Sequence, residues 1–183
     1  MAASIVWFRL DLRLADNPAL RAAIQRGAPV VPVFIWSPSE DGAHAPGAAS
    51  RYWLHQSLKS LTIGMEQVGS RLIVRAADHA LDALEHLIRE TGADAVYWNR
   101  DYEPAAIDRD RQAQQQLARQ GRTVKTFKDH VVFEAEEVRG LTGDPFQRYS
   151  AYRDRWWTKW RAAAPTVLPV PAIPLVDHAA GSS

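Results

Sequence analysis

The chain has 183 residues, of which 46% are hydrophobic and 23% charged, and its formal net charge at pH 7 is +1. These values are typical of a globular protein and exclude a disordered, collagen-like or disulfide-stapled chain. The absence of cysteine excludes thiolate nucleophiles and Cys-ligated metal sites, and we predict no metal site. The sequence shows neither a signal peptide nor an apolar run long enough to span a bilayer, so we expect a cytoplasmic protein without a membrane partner.

Strands and helices are predicted to alternate along the first 127 residues. The apolar run Ser4–Phe8 predicts a buried strand, and Asn17 followed by Pro18 predicts the start of a helix that ends before Gly27. Four more strands are predicted, the first of them at Pro29–Trp36; the others are Arg71–Arg75, Ala95–Asn99 and Thr123–Phe127. Five strands in strict alternation with helices indicate an α/β fold: a Rossmann-like, doubly wound five-stranded parallel sheet of order 3-2-1-4-5, flanked by helices.

The intervening helices are predicted from apolar spacing and capping residues. Ser50 is predicted to cap a helix over Arg51–Val68, in which the apolar residues at helical spacing are Trp53, Leu54, Leu58, Leu61 and Met65. Asp78 is predicted to cap a helix that Gly92 ends, and Pro104–Gln120 forms another. In the C-terminal third, Phe146–Ala163 predicts a helix dense in aromatic and basic residues. Its helical spacing favours packing on the sheet over contact with nucleic acid.

The last twenty residues differ in composition from the rest. Residues 165–176 carry four prolines and predict an extended linker, followed by a polar tail. We therefore predict a domain over residues 1–163 and a Pro-rich linker over 164–183.

Nucleotide-binding motifs are missing from the sequence. There is no G-x-G-x-x-G after the first predicted strand and no P-loop motif, which disfavours a dehydrogenase or a nucleoside triphosphatase.

One long segment carries a specific resemblance. Residues 7–20, WFRLDLRLADNPAL, resemble the opening signature of the DNA photolyase/cryptochrome family, and only Leu10 departs from the residue type common there. Further stretches resemble the family in the same order: Arg51–Leu54, Tyr97–Pro104, Lys128–Glu134, Gly143–Phe146 and Tyr149–Trp157. The resemblance covers about residues 4–170.

The resemblance implies an N-terminal, light-harvesting domain. Full-length members join such a domain to a helical domain that holds FAD and most of the DNA-binding surface. We expect this chain to be the antenna domain of a deoxyribodipyrimidine photolyase, a flavoprotein lyase of DNA repair, with FAD only in the absent C-terminal domain. That domain and, through the full-length protein, DNA are its expected partners. The alternatives are the same domain of a cryptochrome photoreceptor or a free-standing module that binds a small molecule.

The expected ligand site lies at the carboxyl ends of the strands, where the strand order reverses. Trp36 can stack on a planar ring, Asp101 and Glu103 can accept hydrogen bonds, and Arg51 can hold a carbonyl or anion. The candidate antenna-binding residues are Phe8, Arg9, Phe34, Ile35, Trp36, Arg51, Asn99, Arg100, Asp101 and Glu103. No catalytic residue is expected in this chain.

The resemblance also bears on the antenna chromophore. Members of the family use a folate, a deazaflavin or a flavin. Folate-binding members carry an Asn-Glu pair where this chain has Ala105 and Ala106. This difference favours deazaflavin or FMN over 5,10-methenyltetrahydrofolate, which stays an alternative.

Overall fold

A computed structural model describes residues 1–140 and 143–173, and only the backbone of residues 43 and 44. It contains one five-stranded sheet, and the order β3-β2-β1-β4-β5 confirms the prediction. The strands are β1 (Ser4–Phe8), β2 (Val30–Trp36), β3 (Ile73–Ala76), β4 (Ala95–Asn99) and β5 (Thr123–Phe127). All neighbouring pairs are parallel, with Ser4 beside Val30 on one side and Ala95 on the other. Because β1 is central, all five of its residues are buried.

Among the described residues, five α-helices and two short 3-10 helices connect and follow the strands. The α-helices are α1 (Pro18–Gln25), α2 (Ala48–Gln67), α3 (Ala80–Thr91), α4 (Pro104–Arg119) and α5 (Tyr149–Ala162). The 3-10 helices are Pro38–His44 and Ala135–Glu137. The predicted cap of α1 is confirmed, because Asn17 Oδ1 accepts the backbone N–H of Leu20 at 3.0 Å. Gly92 ends α3 with a φ of +65°, a conformation that glycine adopts without strain.

Two predicted helix caps are wrong. Helix α2 begins three residues earlier than predicted, with Gly47 as its N-cap, so Ser50 lies inside the first turn. Helix α3 has His79 at its N-cap rather than Asp78. The carboxylate of Glu40 accepts the N–H of Ala80 at 3.0 Å and supplies the missing acceptor from a distant segment. Local sequence does not show such a long-range partner.

Two hydrophobic cores cover the two faces of the sheet. Trp7 and Trp98 lie in the core that α3 and α4 close, with their ring centroids 5.6 Å apart. Phe8 and Tyr97 lie in the core on the opposite face, which α1 and α2 close. This division follows from the alternation of side chains along each strand. Of the apolar residues at helical spacing in α2, Leu61 and Met65 are buried in the core that α1 and α2 close, whereas Trp53 is 73% exposed.

The Pro-rich C-terminal segment is extended but packs against the domain. Residues 163–173 contain no helix or strand. Asp16 donates its backbone N–H to the Leu168 carbonyl at 2.8 Å, and its Oδ1 accepts the Leu168 N–H at 3.0 Å. Ile173 lies buried in the core that contains Phe8. The domain boundary at residue 163 stays a prediction, and the linker and tail beyond residue 173 lie outside the described residues.

Helix α5 does not pack on the sheet, contrary to the prediction. It has no buried residue, and its indole Trp156 contacts Phe133 edge-on with centroids 5.5 Å apart. The sheet faces are already covered by the four preceding helices, which leaves α5 at the surface. No helix in the described part of the chain is long and apolar enough to cross a membrane.

Candidate ligand-binding site

A cavity of about 260 Å³ lies beside the carboxyl ends of β1 and β2 and the start of α4. Its lining residues are Trp7, Arg9, Leu10, Phe34, Ile35, Trp36, Ser37, Asp41, Pro46, Leu54, Asp101, Glu103, Ala105, Ala106 and Arg109. This is the region where the strand order reverses, at which parallel α/β sheets bind ligands. The cavity contains six of the ten residues that the sequence indicates: Arg9, Phe34, Ile35, Trp36, Asp101 and Glu103.

The central strand shows why the cavity opens on one face only. Trp7 and Arg9 share one face of β1 and its extension, and both line the cavity. Phe8 faces the other way and is fully buried in the second core. The structure therefore places Phe8 outside the cavity, and its neighbour Trp7 inside it.

Asn99 lies in a closed hydrogen-bond network instead of the cavity lining. Its Nδ2 donates to Asp11 Oδ2 at 2.6 Å and to Asn17 Oδ1 at 2.9 Å. Its Oδ1 accepts the N–H of Ala19 at 3.0 Å. Asp11 also accepts the backbone N–H of Arg9 at 2.8 Å. The network joins β4, the β1–α1 loop and the start of α1, so Asn99 positions the walls of the site.

Arg100 and Arg51 also lie outside the cavity lining. Arg100 forms a 2.9 Å ion pair with Glu134, whose Oε1 accepts the hydroxyl of Tyr102 at 2.8 Å. Burial, followed by the hydrogen bond to Glu134, raises the pKa of Tyr102 to about 12. Arg51 is exposed and lines a neighbouring groove, which shares Phe34, Trp36 and Leu54 with the cavity.

A buried cationic cluster forms one end of the cavity. Arg9 Nη1 donates to Asp110 Oδ1 at 2.6 Å, and Trp98 Nε1 donates to Asp110 Oδ2 at 3.0 Å. The guanidinium carbons of Arg9 and Arg109 lie 4.9 Å and 5.6 Å from the Trp7 ring centroid, within the range of cation–π attraction. Burial raises the pKa of Asp110 from its ordinary value, and the charge of Arg9 opposes this shift.

Two buried donors in the cavity lining have no hydrogen-bond partner among the described residues. They are the indole Nε1 of Trp7 and the Nε of Arg109, which lies 3.8 Å from Asp110 Oδ1, too far for a hydrogen bond. An unpaired buried donor costs about 1–3 kcal/mol, so a bound water or ligand acceptor would stabilise this end of the cavity.

Three carboxylates line the cavity beside these cations. Asp41 lies 3.8 Å from Arg109 Nη1, and Asp101 accepts the backbone N–H of Glu103 at 3.2 Å. The third carboxylate is Glu103 itself. Acceptors thus face an apolar wall formed by side chains such as Trp36 and Leu54, which suits a planar heteroaromatic ring that carries hydrogen-bond donors.

The cavity continues into a second groove of about 650 Å³. The two share Arg9, Leu10, Pro46 and Leu54, and the second adds Arg13 and the hydroxyl-bearing Ser50 and Ser57. Arg13 is held by its ion pair with Asp129. The combined space is that of a small-molecule site and can take a fused ring with a polar side chain. The described residues contain no group of three His, Cys, Asp or Glu side chains that could hold a metal ion.

Sequence reasoning missed four cavity residues that the geometry makes prominent: Trp7, Asp41, Pro46 and Arg109. Strand alternation offered a signal for Trp7, because Arg9 was already indicated and residues two apart share a face. Arg109 gave no such signal, because the buried carboxylate next to it, Asp110, pairs chiefly with Arg9. Asp41 and Pro46 come from an irregular segment and gave no such signal.

The fold and the site together define a doubly wound α/β domain with a ligand cavity at its switch point. The chain matches the DNA photolyase family over residues 4–172. It therefore belongs to this family, as its motifs indicate.

Similar proteins include both photolyases and cryptochromes. The chain is 41% identical over 158 residues to a deoxyribodipyrimidine photo-lyase of Agrobacterium fabrum, covering 86% of this chain and 31% of the relative. It is 39% identical over 152 residues to Cryptochrome-1 of Arabidopsis thaliana, covering 83% and 22%. The crystal structure of a bacterial class III photolyase from Agrobacterium tumefaciens superimposes with a TM-score of 0.84 at 36% identity, covering 97% of this chain and 36% of that one. The chain thus spans about a third or less of these relatives' length.

Proposed function

We propose that the cavity binds an antenna chromophore and that this domain passes its excitation energy to FAD elsewhere in a longer protein. Members of the photolyase family bind flavin and antenna chromophores. The observation that carries the proposal is the cavity itself, in which an apolar wall, two unpaired buried donors and three carboxylates converge at the switch point. The bound chromophore would absorb light; the residues of this chain bind and orient it and exclude water.

We propose specific roles for the residues present. Trp36 lies beside Phe34 and Ile35 at the end of β2 and offers a ring face for stacking. Asp101 and Glu103 accept hydrogen bonds from ring or side-chain donors, and Arg109 donates to a ring carbonyl. Arg51 reaches the ligand through the neighbouring groove, if a ligand substituent extends past Trp36.

We propose a deazaflavin or flavin as the chromophore class. Ala105 and Ala106 line the cavity at the positions where the resemblance associates an Asn-Glu pair with folate. The small methyl side chains leave room there but offer no polar anchor for a pterin. The carboxylates favour a ligand that donates hydrogen bonds, for example through the hydroxyl groups of a ribityl chain.

We propose that the longer protein is a light-dependent repair lyase of pyrimidine dimers in DNA. The 41% identity to a deoxyribodipyrimidine photo-lyase supports this activity. The 39% identity to Cryptochrome-1 supports a photoreceptor as the second candidate. In either protein, the remainder of the polypeptide would hold FAD and this domain would serve as its antenna. We expect the isolated chain to lack FAD and to be unable to repair dimers, and light-driven dimer reversal by this chain alone would contradict the assignment.

A fluorescence titration of the purified chain tests the antenna proposal. Deazaflavin, FMN and methenyltetrahydrofolate are titrated in parallel, and the change in Trp fluorescence and pigment anisotropy is recorded. Saturable binding of deazaflavin or FMN supports the proposal. Preferential binding of methenyltetrahydrofolate contradicts the proposal of a deazaflavin or flavin but remains consistent with an antenna role. Absence of binding by all three contradicts both for this chain.

A further inference from the structure

The extended segment that follows α5 is attached to the domain at two points. Asp16 donates its backbone N–H to the Leu168 carbonyl at 2.8 Å and accepts the Leu168 N–H on its Oδ1 at 3.0 Å. Five residues further on, Ile173 is only 6% exposed and lies in the core that contains Phe8. We term residues 164–173 the strap, because these two attachments hold it against the domain.

The composition of the strap suits it to docking. Three of its ten residues are proline, which restricts the backbone to extended conformations before the strap docks. Leu168 and Pro171 are half-buried, whereas Val167 and Val170 beside them are exposed. A spacing of three residues matches one turn of polyproline II, the conformation that proline favours. One face of a preorganised segment therefore lies toward the domain, and its docking costs little conformational entropy.

Asp16 itself has a strained backbone. Within the described ranges it is the one residue other than glycine with a positive φ, +50°. This left-handed conformation is unfavourable for residues that carry a Cβ, and it persists only where surrounding contacts impose it. Among the described residues, three hydrogen bonds hold Asp16: two with Leu168 and one from Arg13, whose Nη2 donates to the Asp16 carbonyl at 2.7 Å. Because the strap supplies two of the three, its docking favours the strained conformation of Asp16.

The loop that carries Asp16 also forms a wall of the ligand site. It comprises residues 9–17, between β1 and α1, and four of its residues line the second groove: Arg9, Leu10, Leu12 and Arg13. Arg13 belongs to both regions, because it lines the groove and donates to the Asp16 carbonyl and to Asp129. A change in the backbone at Asp16 therefore moves a carbonyl that positions a groove residue.

We propose that docking of the strap on Asp16 fixes the β1–α1 loop in the conformation that forms the groove wall, so that strap docking and ligand binding favour each other. Each event stabilises the same loop conformation, and two events that share a conformation are coupled in free energy. A segment that only lay on the surface would leave both the loop and the affinity for a ligand unchanged. The effect of docking on the loop is independent of any ligand, whereas its effect on affinity rests on the proposed function.

Two variants release the strap without changing the sequence of the loop. Ile173→Asp places a charge at the buried anchor, and Leu168→Pro removes the N–H that Asp16 accepts. Leu168→Pro leaves the core untouched and decides the test if Ile173→Asp does not fold. Val170→Asp is the matched control, because it adds the same charge at a strap position that is exposed.

Hydrogen exchange of single backbone amides, followed by NMR on the ligand-free chain, measures the effect on the loop. The informative amides are those of Asp16, which donates to the strap, and Arg13, which donates to the Asp11 carbonyl within the loop at 2.6 Å. Both should exchange faster in the release variants, by a factor of about two to ten for the loss of one net hydrogen bond. The amide of Val6 in the central strand should exchange as in the wild type, which shows that the fold is intact. Unchanged exchange at Arg13 overturns the proposal, whether or not exchange at Asp16 is faster.

Isothermal titration with FMN measures the coupling to the ligand site. The release variants should bind FMN about five-fold more weakly than the wild type, at the lower end of typical coupling factors. FMN should slow exchange of the Asp16 amide in the wild type by the same factor, since coupling between two sites is reciprocal. Val170→Asp should bind FMN as the wild type does. Equal affinity of the wild type and the release variants overturns the coupling but leaves the antenna proposal intact. Absence of FMN binding by the wild type contradicts the proposed function instead, and the exchange rates still decide whether the strap fixes the loop.

Discussion

Two regions at the carboxyl edge of the sheet contain similar buried polar residues. They differ in whether the donors and acceptors of those residues are fully hydrogen-bonded. In the network of Asp11, Asn17 and Asn99, the side chains satisfy one another and the start of α1. In the cavity lining, the buried donors Trp7 Nε1 and Arg109 Nε have no hydrogen-bond partner among the described residues. A buried polar residue that hydrogen-bonds only to other residues of the protein stabilises the fold. A residue that lines a cavity and has a donor without an acceptor can instead bind a ligand. Completeness of hydrogen bonding, more than residue type, separates the two.

The closed network is expected to show the largest stability effect. Asn99→Ala removes three hydrogen bonds and leaves the Ala19 N–H and the Asp11 carboxylate with fewer partners in a buried site. We expect a loss of about 3 kcal/mol in the free energy of unfolding, measured by urea denaturation. Gln114→Ala, at an exposed position of α4, is the control and should change stability little. A loss below about 1 kcal/mol would mean that the network is not what joins β4 to α1.

Substitutions in the cavity should change the affinity for a ligand rather than the stability of the fold. Trp36→Ala is expected to weaken chromophore binding by at least about 1 kcal/mol, because it removes a stacking surface. Isothermal titration with the chromophore that binds the wild-type chain measures this change. Unchanged affinity would place the ring elsewhere in the two adjoining grooves.

Substitution of Asp101 tests whether its carboxylate hydrogen-bonds to the ligand or only to the backbone at the start of α4. Asp101→Ala is expected to weaken binding by at least about 1 kcal/mol through loss of a charge-assisted hydrogen bond. Asp101→Asn keeps an acceptor for the Glu103 N–H and serves as the matched variant. If Asp101 contacts the ligand, Asn should bind more weakly than Asp at equal stability. Equal affinity of Asn and Asp, with Ala destabilised, would show a helix-capping role only.

Substitution of two arginines in turn tests whether the ligand lies in the cavity or in the groove beside it. The Arg109 side chain is only 18% exposed, whereas Arg51 is exposed in the neighbouring groove. Because charged contacts contribute more where water is excluded, Arg109→Ala should reduce chromophore affinity more than Arg51→Ala. The ratio of the two dissociation constants is the measurement. A larger effect at Arg51 would move the ligand to the groove lined by His55 and Val74.

The smallest expected effect is a pH dependence of Asp110. Burial raises its pKa in the folded chain above the ordinary value of 3.8, so the folded state binds a proton more readily than the unfolded state. The contribution of this group to stability is therefore present below pH 3.8 and is lost as the pH rises through the raised pKa. Relative to Asp110→Asn, the wild type should lose stability over that window. Urea denaturation of both proteins across this range provides the test, and parallel pH profiles would contradict it.

Much of the fold follows from the sequence. The strand at Ser4–Phe8, the Asn17 cap and the glycine at position 92 are local features, and strict alternation of strands with helices limits the topology. The caps at Ser50 and Asp78 were wrong because Gly47 and the distant Glu40 occupy those roles. The packing of α5 on the sheet was wrong, because helical spacing does not tell which neighbour, if any, covers a face; the exposure of Trp53 in α2 shows the same limit.

The sequence by itself determined the family, the parallel sheet and the edge at which a ligand site should lie, because these depend on local pattern and on chain order. Only the tertiary structure decided which side chains at that edge are free. Phe8 and Asn99 turn into the core and the closed network, while Trp7 and Arg109 come together from positions about a hundred residues apart. A side chain's availability depends on hydrogen bonds and packing made across the fold, and those contacts are not encoded in any one segment.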